Sequence, residues 1–266
     1  MWWSLLGCAP LPEVVLEADD SRLGDWGEPG PHGVVLEQRA AVARVEERLV
    51  YDWIAPLDVR DDDPVVLFVH GGLVDRERYR WLGIHLASRG YTVAAPAHDL
   101  DLAIFDAANV RFVLDDLERR SEPSSVAACG HSLGGVIASW AWQDDDRIDA
   151  LCLLASFPAG EGPVDGSGPV LSISGASDGS ALPDDVRAGA ERYARARLAF
   201  VDGMNHYAWT DGATEGELAG DGPLGRPLEE VRTDALRVVD AWLDASLRDD
   251  PGAAVRLDAP FPGVSP

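Results

Sequence analysis

The sequence predicts an α/β fold in which helices cover both faces of a mostly parallel central sheet. Short, continuous apolar runs recur along the chain, which is the pattern of strands buried on both faces. Segments with apolar side chains at helical spacing alternate with these runs, as in successive strand-helix-strand units. The chain has 266 residues, of which 46% are hydrophobic, so one domain of this kind can bury a full core.

The individual elements follow from the same periodicities. Residues 34–55 alternate apolar and charged side chains, which predicts one or two half-exposed antiparallel strands at a sheet edge. Gly90 ends the first helix, whose inward face carries Tyr79, Leu82 and Leu86. Buried strands are predicted at residues 65–69, 91–95, 126–129, 151–155, 170–174 and 198–201, and the remaining helices at residues 107–120, 136–141, 184–196 and 228–247.

The two ends of the chain differ in composition from the middle. Residues 9–33 are rich in Pro, Gly, Asp and Glu, so residues 1–33 are predicted to form an N-terminal tether or surface-hugging arm. Residues 34–250 hold the α/β domain, and the Pro-rich residues 251–266 are predicted to form a loose C-terminal tail. Within the domain no stretch approaches the roughly 20 apolar residues of a membrane-spanning helix.

The three cysteines favour different roles. Cys129 and Cys152 lie within apolar strands and are predicted to be buried free thiols. An odd count without regular spacing predicts neither a disulfide scaffold nor a zinc site. Cys8 closes Leu5-Leu6-Gly7-Cys8, which resembles the lipobox of bacterial lipoprotein signals, yet no basic residue precedes it. Either the natural start lies upstream and Cys8 is a possible lipid anchor, or the match arises by chance.

Charge restricts the partners. Asp and Glu number 46 against 22 Lys and Arg, which gives a net charge of −24, and every basic residue among the 22 is Arg. Such a surface repels nucleic acid and anionic lipid headgroups, so those partners are disfavoured. Adaptation to salt and GC-rich coding both explain a chain without lysine.

The stretch from Val126 to Gly135 carries the chemistry. An apolar strand ends in Gly130-His131-Ser132-Leu133-Gly134, and an apolar-periodic helix follows at once. This is the strand-turn-helix context of a nucleophile elbow, in which only small residues such as Gly130 and Gly134 allow strand and helix to approach. Ser132 is therefore the candidate nucleophile, and the backbone N–H of Leu133 is a candidate oxyanion donor. The alternative is a chance match in a Gly-rich chain.

A serine hydroxyl needs a base to take its proton and a carboxylate to orient that base. On this architecture the expected chain order is Ser, acid, His. Asp178 follows the strand at 170–174, and His206 follows the strand at 198–201, so both lie at the edge where Ser132 is expected. His206 is the only histidine after residue 131. The alternative for Asp178 is an ordinary turn residue.

Other residues are candidates for the surroundings of the site. The loop after the strand at 65–69 offers the second oxyanion donor, with the N–H of Gly72 favoured over that of Leu73; a plain tight turn is the alternative. His131, Phe157 and Trp209 are substrate-pocket candidates, for which core packing is the other interpretation. Only residues 156–169 separate two strands where a lid would be inserted, too few for a helical cap, so an open site is expected.

Four motifs together resemble the α/β-hydrolase superfamily: His70-Gly71-Gly72, Gly130-His131-Ser132-Leu133-Gly134-Gly135, Gly175-Ala176-Ser177-Asp178 and Gly203-Met204-Asn205-His206. Within it the chain is most similar to small lidless dienelactone-hydrolase-like and polyester-hydrolase-like serine esterases and to bacterial lipoprotein hydrolases of unassigned substrate. The resemblance, over about residues 65–247, implies the α/β-hydrolase fold without a cap domain, a Ser-Asp-His triad, and neither a metal nor an organic cofactor.

Three hypotheses follow for the function. The first is a serine carboxylic-ester hydrolase acting on short-acyl or accessible neutral esters, either small molecules or polymers. The second is an acyltransferase or thioesterase with the same triad. The third is a non-catalytic binding protein on the same fold. An envelope lipoprotein or a secreted protein is favoured over a cytoplasmic one.

Overall fold

The computed structural model describes residues 13–16, 26–44, 47–97 and 107–266. The strands are β1 (Glu13–Leu16), β2 (Val34–Arg44), β3 (Glu47–Pro56), β4 (Val65–Val69), β5 (Thr92–Pro96), β6 (Val126–His131), β7 (Ala150–Leu154), β8 (Val170–Gly175), β9 (Ala196–Val201) and β10 (Val264–Ser265). The helices are α1 (Arg80–Ser88), α2 (Ala107–Arg120), α3 (Leu133–Asp144), α4 (Pro183–Ala190), α5 (Glu215–Ala219), α6 (Leu228–Leu247) and α7 (Pro251–Leu257).

The described strands form one sheet in the order β1-β2-β3-β5-β4-β6-β7-β8-β9-β10. The strands from β5 to β9 pair in parallel. The first three strands extend one edge in antiparallel fashion, and β10 closes the other edge. Parallel strands have their carboxyl ends on the same side of the sheet. The loops that follow β4, β6, β8 and β9 therefore meet on that side. The predicted mostly parallel sheet and its antiparallel edge are confirmed.

Two hydrophobic cores lie on the two faces of the sheet. One contains the inward side chains of α1, α4 and α6, and the other those of α2 and α3. The five-residue strands β4, β5 and β7 are buried at every position, as the continuous apolar runs predicted. Burial of each Leu, Ile or Phe side chain stabilises the folded state by about 1.5–3 kcal/mol relative to leaving that side chain exposed. Helices on both faces therefore fix the strand ends from two sides.

No helix within the described residues combines the length and the apolar character that crossing a membrane requires. Residues 156–169, where a cap would be inserted, contain no helix. The fold without a cap domain is as predicted.

The helix predicted at residues 184–196 is shorter in the structure. It begins with Pro183 in its first turn and ends at Ala190, and the chain then turns before β9. Tyr193 explains the difference. Its side chain is buried on the face of the sheet opposite α4, and its hydroxyl is hydrogen-bonded to Ser139 Oγ at 2.8 Å. Continuing the helix would break this contact.

The C-terminal segment also differs from the loose tail predicted for residues 251–266. The Asp250 carboxylate caps α7 by accepting hydrogen bonds from the N–H groups of Gly252 and Ala253, and β10 pairs with β9. Leu257 and Phe261 are buried in the core beside α6. An N-cap Asp followed by Pro in the first turn is a helix-start signal, which the Pro-rich composition concealed.

The described end of the N-terminal arm packs on α6 and α1. Trp26 Nε1 donates to the Asp244 carboxylate at 2.8 Å, and the Gly27 N–H donates to Asp240 at 2.8 Å. The Gly30 N–H donates to Ser88 Oγ at 2.8 Å. These contacts fit a surface-hugging arm, whereas the predicted anchor Cys8 lies outside the described residues.

The order of the C-terminal segment is testable with two variants of α7. Leu257→Ala removes a buried side chain and is expected to lower the free energy of unfolding by about 2–4 kcal/mol. Val255→Ala changes a side chain that is 72% exposed and should alter it by less than about 0.5 kcal/mol. Urea unfolding measures both. Equal and negligible effects would mean that the segment is loose in solution.

Candidate active site

The elbow, residues Gly130–Gly134, holds Ser132 in a strained backbone conformation. Ser132 stands between β6 and α3 with φ +52° and ψ −125°, a region that L-residues rarely adopt and that costs about 1–3 kcal/mol. Its own peptide groups are bonded in compensation. Its N–H donates to the Leu154 carbonyl at 3.0 Å, and its carbonyl accepts from Gly135 N–H at 2.9 Å and from Ser156 Oγ at 2.6 Å.

The glycines of the elbow permit this turn for a steric reason. A Cβ on Gly130 would collide with the backbone carbonyl of Gly134. A Cβ on Gly134 would collide with the carbonyl oxygens of Val69 and His70 at the end of β4. Helix α3 therefore starts in direct backbone contact with two neighbouring strands, and Ser132 is only partly buried at its N-terminus.

The acid loop, residues 176–181 after β8, buries the Asp178 carboxylate. Asp178 Oδ1 accepts from the N–H groups of Ser180 at 2.9 Å and Ala181 at 2.7 Å, and Oδ2 accepts from Ser174 Oγ at 3.1 Å. Asp178 is 3% exposed. Three donors on the buried carboxylate satisfy its oxygens and fix its direction.

The base loop, residues 202–206 after β9, places His206 against that carboxylate. His206 Nδ1 lies 3.1 Å from Asp178 Oδ1 and 3.0 Å from Oδ2. A carboxylate only accepts, so Nδ1 carries a proton, and in the neutral ring Nε2 is then the nitrogen with the free lone pair. The His206 ring lies 4.6 Å from the ring of His131, the residue before Ser132. The structure thus brings the predicted acid and base together beside the elbow.

The contact between nucleophile and base is not closed. Among the described residues, no hydrogen bond joins Ser132 Oγ to His206 Nε2. Such catalytic bonds are often long without substrate and tighten in the complex.

The oxyanion loop, residues 70–74 after β4, lies directly against the start of α3. Gly72 is so close to Leu133 that a Cβ on it would touch the Leu133 side chain at 2.9 Å. The Gly71 carbonyl accepts from His70 Nδ1 at 2.9 Å and from Val74 N–H at 3.3 Å. Because the peptide unit is planar and trans, these two bonds also fix the direction of the Gly72 N–H.

Two of the residues that carry candidate oxyanion donors are therefore in contact. The Leu133 N–H is in the first position of α3, where helix N–H groups have no intrahelical partner. Gly72 lies against the Leu133 side chain. Leu73, the alternative donor, has φ +59°. It is 71% exposed, so its apolar side chain lies on the surface beside Gly72.

Two of the three predicted pocket residues do not line a pocket. His131 and Trp209 are each 0% exposed. Trp209 points into the core that also contains the inward face of α6, and His131 is enclosed between Tyr79 and His206. Phe157 is half-buried against the core, so it stays a pocket candidate.

Sequence reasoning missed the residues that hold these loops. Tyr79 was predicted only as an inward-facing helix residue, yet its hydroxyl bonds to the oxyanion loop and to the elbow. Arg78 makes a bidentate ion pair with Glu217 of α5 at 2.8 and 3.2 Å, which lowers the pKa of that carboxyl to about 2. The hydroxyl of a buried Tyr usually has a hydrogen-bond partner. This was the one signal in the sequence that could have pointed to the role of Tyr79.

The described residues contain no cluster of three or more His, Cys, Asp or Glu side chains that could hold a metal ion. The thiols of Cys129 and Cys152 are free and buried.

In a comparison with protein-family models, residues 65–231 match the model described as alpha/beta hydrolase family. Among curated proteins, none matches the chain. The matched range covers more than half of the chain and runs from β4 through the elbow, Asp178 and His206 into α6.

The steric account of the elbow predicts the effect of one methyl group. Gly134→Ala is expected to lower the free energy of unfolding by about 1–3 kcal/mol or more, because backbone has to move. Gly216→Ala in α5 is the control, since a Cβ there meets nothing within 4 Å. Thermal unfolding compares the two. An equally mild effect of both would contradict the close packing of α3 on β4.

The buried state of His131 predicts a pH dependence. Burial, and next the charge of His206, hold the pKa of His131 well below its ordinary value of 6.5. Below about pH 6.5 the unfolded chain therefore binds a proton at His131 that the folded chain does not bind. For this reason His131 lowers the free energy of unfolding as the pH falls, by at most about 1.4 kcal/mol per pH unit.

His131→Gln removes that component of the pH dependence. Urea unfolding of both proteins between pH 7 and 5 should give a shallower decline for the variant. Parallel declines would mean that folded His131 takes up the proton after all.

Proposed function

The chain belongs to the alpha/beta hydrolase family, which indicates a hydrolase, and on this basis we propose that it hydrolyses carboxylic esters with Ser132 as nucleophile. The observation that carries the proposal is the buried pair of Asp178 and His206 at 3.0–3.1 Å, next to a serine at φ +52°. An imidazole held by a carboxylate, beside a serine in a strained elbow, is the arrangement that activates a hydroxyl.

In the proposed first step, Ser132 Oγ attacks the ester carbonyl while its proton moves to His206 Nε2. Asp178 stabilises the imidazolium that forms, because its carboxylate already accepts the Nδ1–H. The carbonyl oxygen becomes an oxyanion, which the N–H groups of Leu133 and Gly72 stabilise. Collapse of this intermediate breaks the ester C–O bond, and the alkoxide leaves as an alcohol with the proton from His206.

In the second step a water molecule takes the place of the alcohol. His206 Nε2 removes a proton from the water as it attacks the acyl-enzyme, and the same N–H groups hold the second oxyanion. Ser132 then leaves with the proton, and the acid is released. One ester and one water are consumed, one alcohol and one acid are released, and His206 returns each proton that it takes up, so atoms and charge balance.

The short connection between β7 and β8, which contains no helix, supports accessible substrates. No helix covers the elbow from residues 156–169. Two apolar side chains are exposed: Leu73 on the oxyanion loop at 71%, and Leu182, the residue after the acid loop, at 50%. We propose short-acyl esters or the exposed ester bonds of polymers, as for the lidless esterases that the sequence resembles. The net charge of −24 disfavours anionic substrates.

The triad makes a kinetic prediction. Asp178→Asn should lower kcat for p-nitrophenyl butyrate on the order of 10³- to 10⁴-fold, because the amide no longer stabilises the Nδ1–H tautomer. Ser132→Ala should reduce turnover to the background of the reaction in buffer. The matched control is Ser124→Ala, an exposed serine before β6 at the opposite edge of the sheet, which should keep wild-type kinetics.

Two results would redirect the assignment. Full activity of Ser132→Ala would eliminate Ser132 as the nucleophile. A wild-type protein that binds an ester and releases it intact would favour a binding protein. Product analysis with an added alcohol or with a thioester separates hydrolysis from acyl transfer and from thioesterase activity, since these share the first step.

A further inference from the structure

A buried relay of hydrogen bonds runs through three of the loops at the site. The Gly71 N–H donates to Tyr79 Oη at 3.1 Å, and Tyr79 Oη lies 2.8 Å from His131 Nδ1. His131 Nε2 in turn lies 3.2 Å from the backbone carbonyl of His206. Tyr79 is 3% exposed and His131 is 0% exposed. One chain of contacts therefore connects the oxyanion loop, the elbow and the base loop.

The direction of every bond in this relay follows from chemistry. The His206 carbonyl can only accept, so the proton of His131 is on Nε2. Nδ1 of the neutral ring is then an acceptor and takes the Tyr79 O–H, whose oxygen is left to accept from Gly71 N–H. Burial holds the pKa of His131 below its ordinary value, which agrees with a neutral ring. This arrangement of protons satisfies every group in the relay.

We propose that Tyr79 and His131 are positioning residues of the hydrolytic site, holding the oxyanion loop and the base loop in register with Ser132. This inference rests on the proposed function. Both side chains are buried, and their hydrogen bonds go to the Gly71 amide, to each other and to the His206 carbonyl. They act on backbone: Tyr79 on the Gly71 amide, one residue before the proposed donor Gly72, and His131 on the carbonyl of the base itself.

Polar bonds suit this task better than apolar packing alone. Hydrogen bonds are directional, and a buried network with every group satisfied specifies one arrangement. The two oxyanion donors come from different elements, α3 and the loop after β4, and the base comes from a third. A misplacement of about 1 Å among such parts costs on the order of 100-fold in rate.

The test is Tyr79→Phe, which removes the hydroxyl and keeps the ring that packs on Phe68 at 5.0 Å. We expect kcat for p-nitrophenyl butyrate to fall 10- to 100-fold with KM within about twofold, because only transition-state alignment is lost. Tyr193→Phe is the matched control: it removes another buried hydroxyl, bonded to Ser139 at 2.8 Å, far from the site.

Both Tyr variants should lose comparable thermal stability, so a purely structural role would lower kcat equally in both. That outcome would overturn the proposal. A pair at residue 131 adds a rescue: His131→Gln can still donate to the His206 carbonyl, whereas His131→Leu cannot. We expect the Gln variant to retain at least tenfold more kcat than the Leu variant at matched folding, and equal rates would also overturn the proposal.

A measurement without turnover separates this proposal from the proposed function. Nitrogen-15 NMR of labelled histidines reports which ring nitrogen of His131 carries the proton. The relay predicts the neutral Nε2–H form at pH 6 in wild type, with a changed Nδ1 shift in Tyr79→Phe. A protonated or Nδ1–H ring would contradict the relay. If wild type hydrolyses no ester while His131 has the predicted form, the proposed function fails and the relay stands as a structural network.

Discussion

The backbone turn at Ser132 is the constraint on which the rest of this edge of the molecule depends. A serine at φ +52° persists only where its surroundings over-determine it, and here both of its peptide groups are bonded to neighbouring segments. The Leu154 carbonyl at the end of β7 takes its N–H, and Ser156 just beyond binds its carbonyl. The missing Cβ atoms of Gly130 and Gly134 let α3 start in contact with β4. The sheet thus stores the strain and holds the hydroxyl outward.

Everything else at the site is placed relative to that turn. Parallel strands carry the acid and base loops to the same edge, and the Asp178–His206 pair at 3.0–3.1 Å closes them on each other. Backbone groups fix much of this arrangement. The N–H groups of Ser180 and Ala181 hold the Asp178 carboxylate. The Gly71 carbonyl accepts from His70 Nδ1 and thereby sets the direction of the Gly72 N–H. Fixed dipoles of this kind need no reorganisation when charge develops.

The sequence was informative where one local pattern determines the outcome. Asp178 and His206 could be placed because each follows a buried apolar strand, and strand ends in a parallel sheet converge. For His131 and Trp209 the sequence left pocket lining and core packing both open, since the choice depends on which loops fold over these side chains. The end of α4 likewise depends on the distant contact of Tyr193 with Ser139. Asp250 and Pro251 form a helix-start signal, whereas the Pro-rich composition of residues 251–266 predicted a loose tail. The structure shows that the local signal was the better guide, because α7 begins there.

The most direct test of the central claim, an activated serine at the elbow, is to treat the protein with a fluorophosphonate probe and map the adduct by mass spectrometry. A single adduct on Ser132, lost in His206→Ala while that variant remains folded, is the result that this account predicts. An adduct elsewhere, or none on a folded wild-type sample, would contradict it.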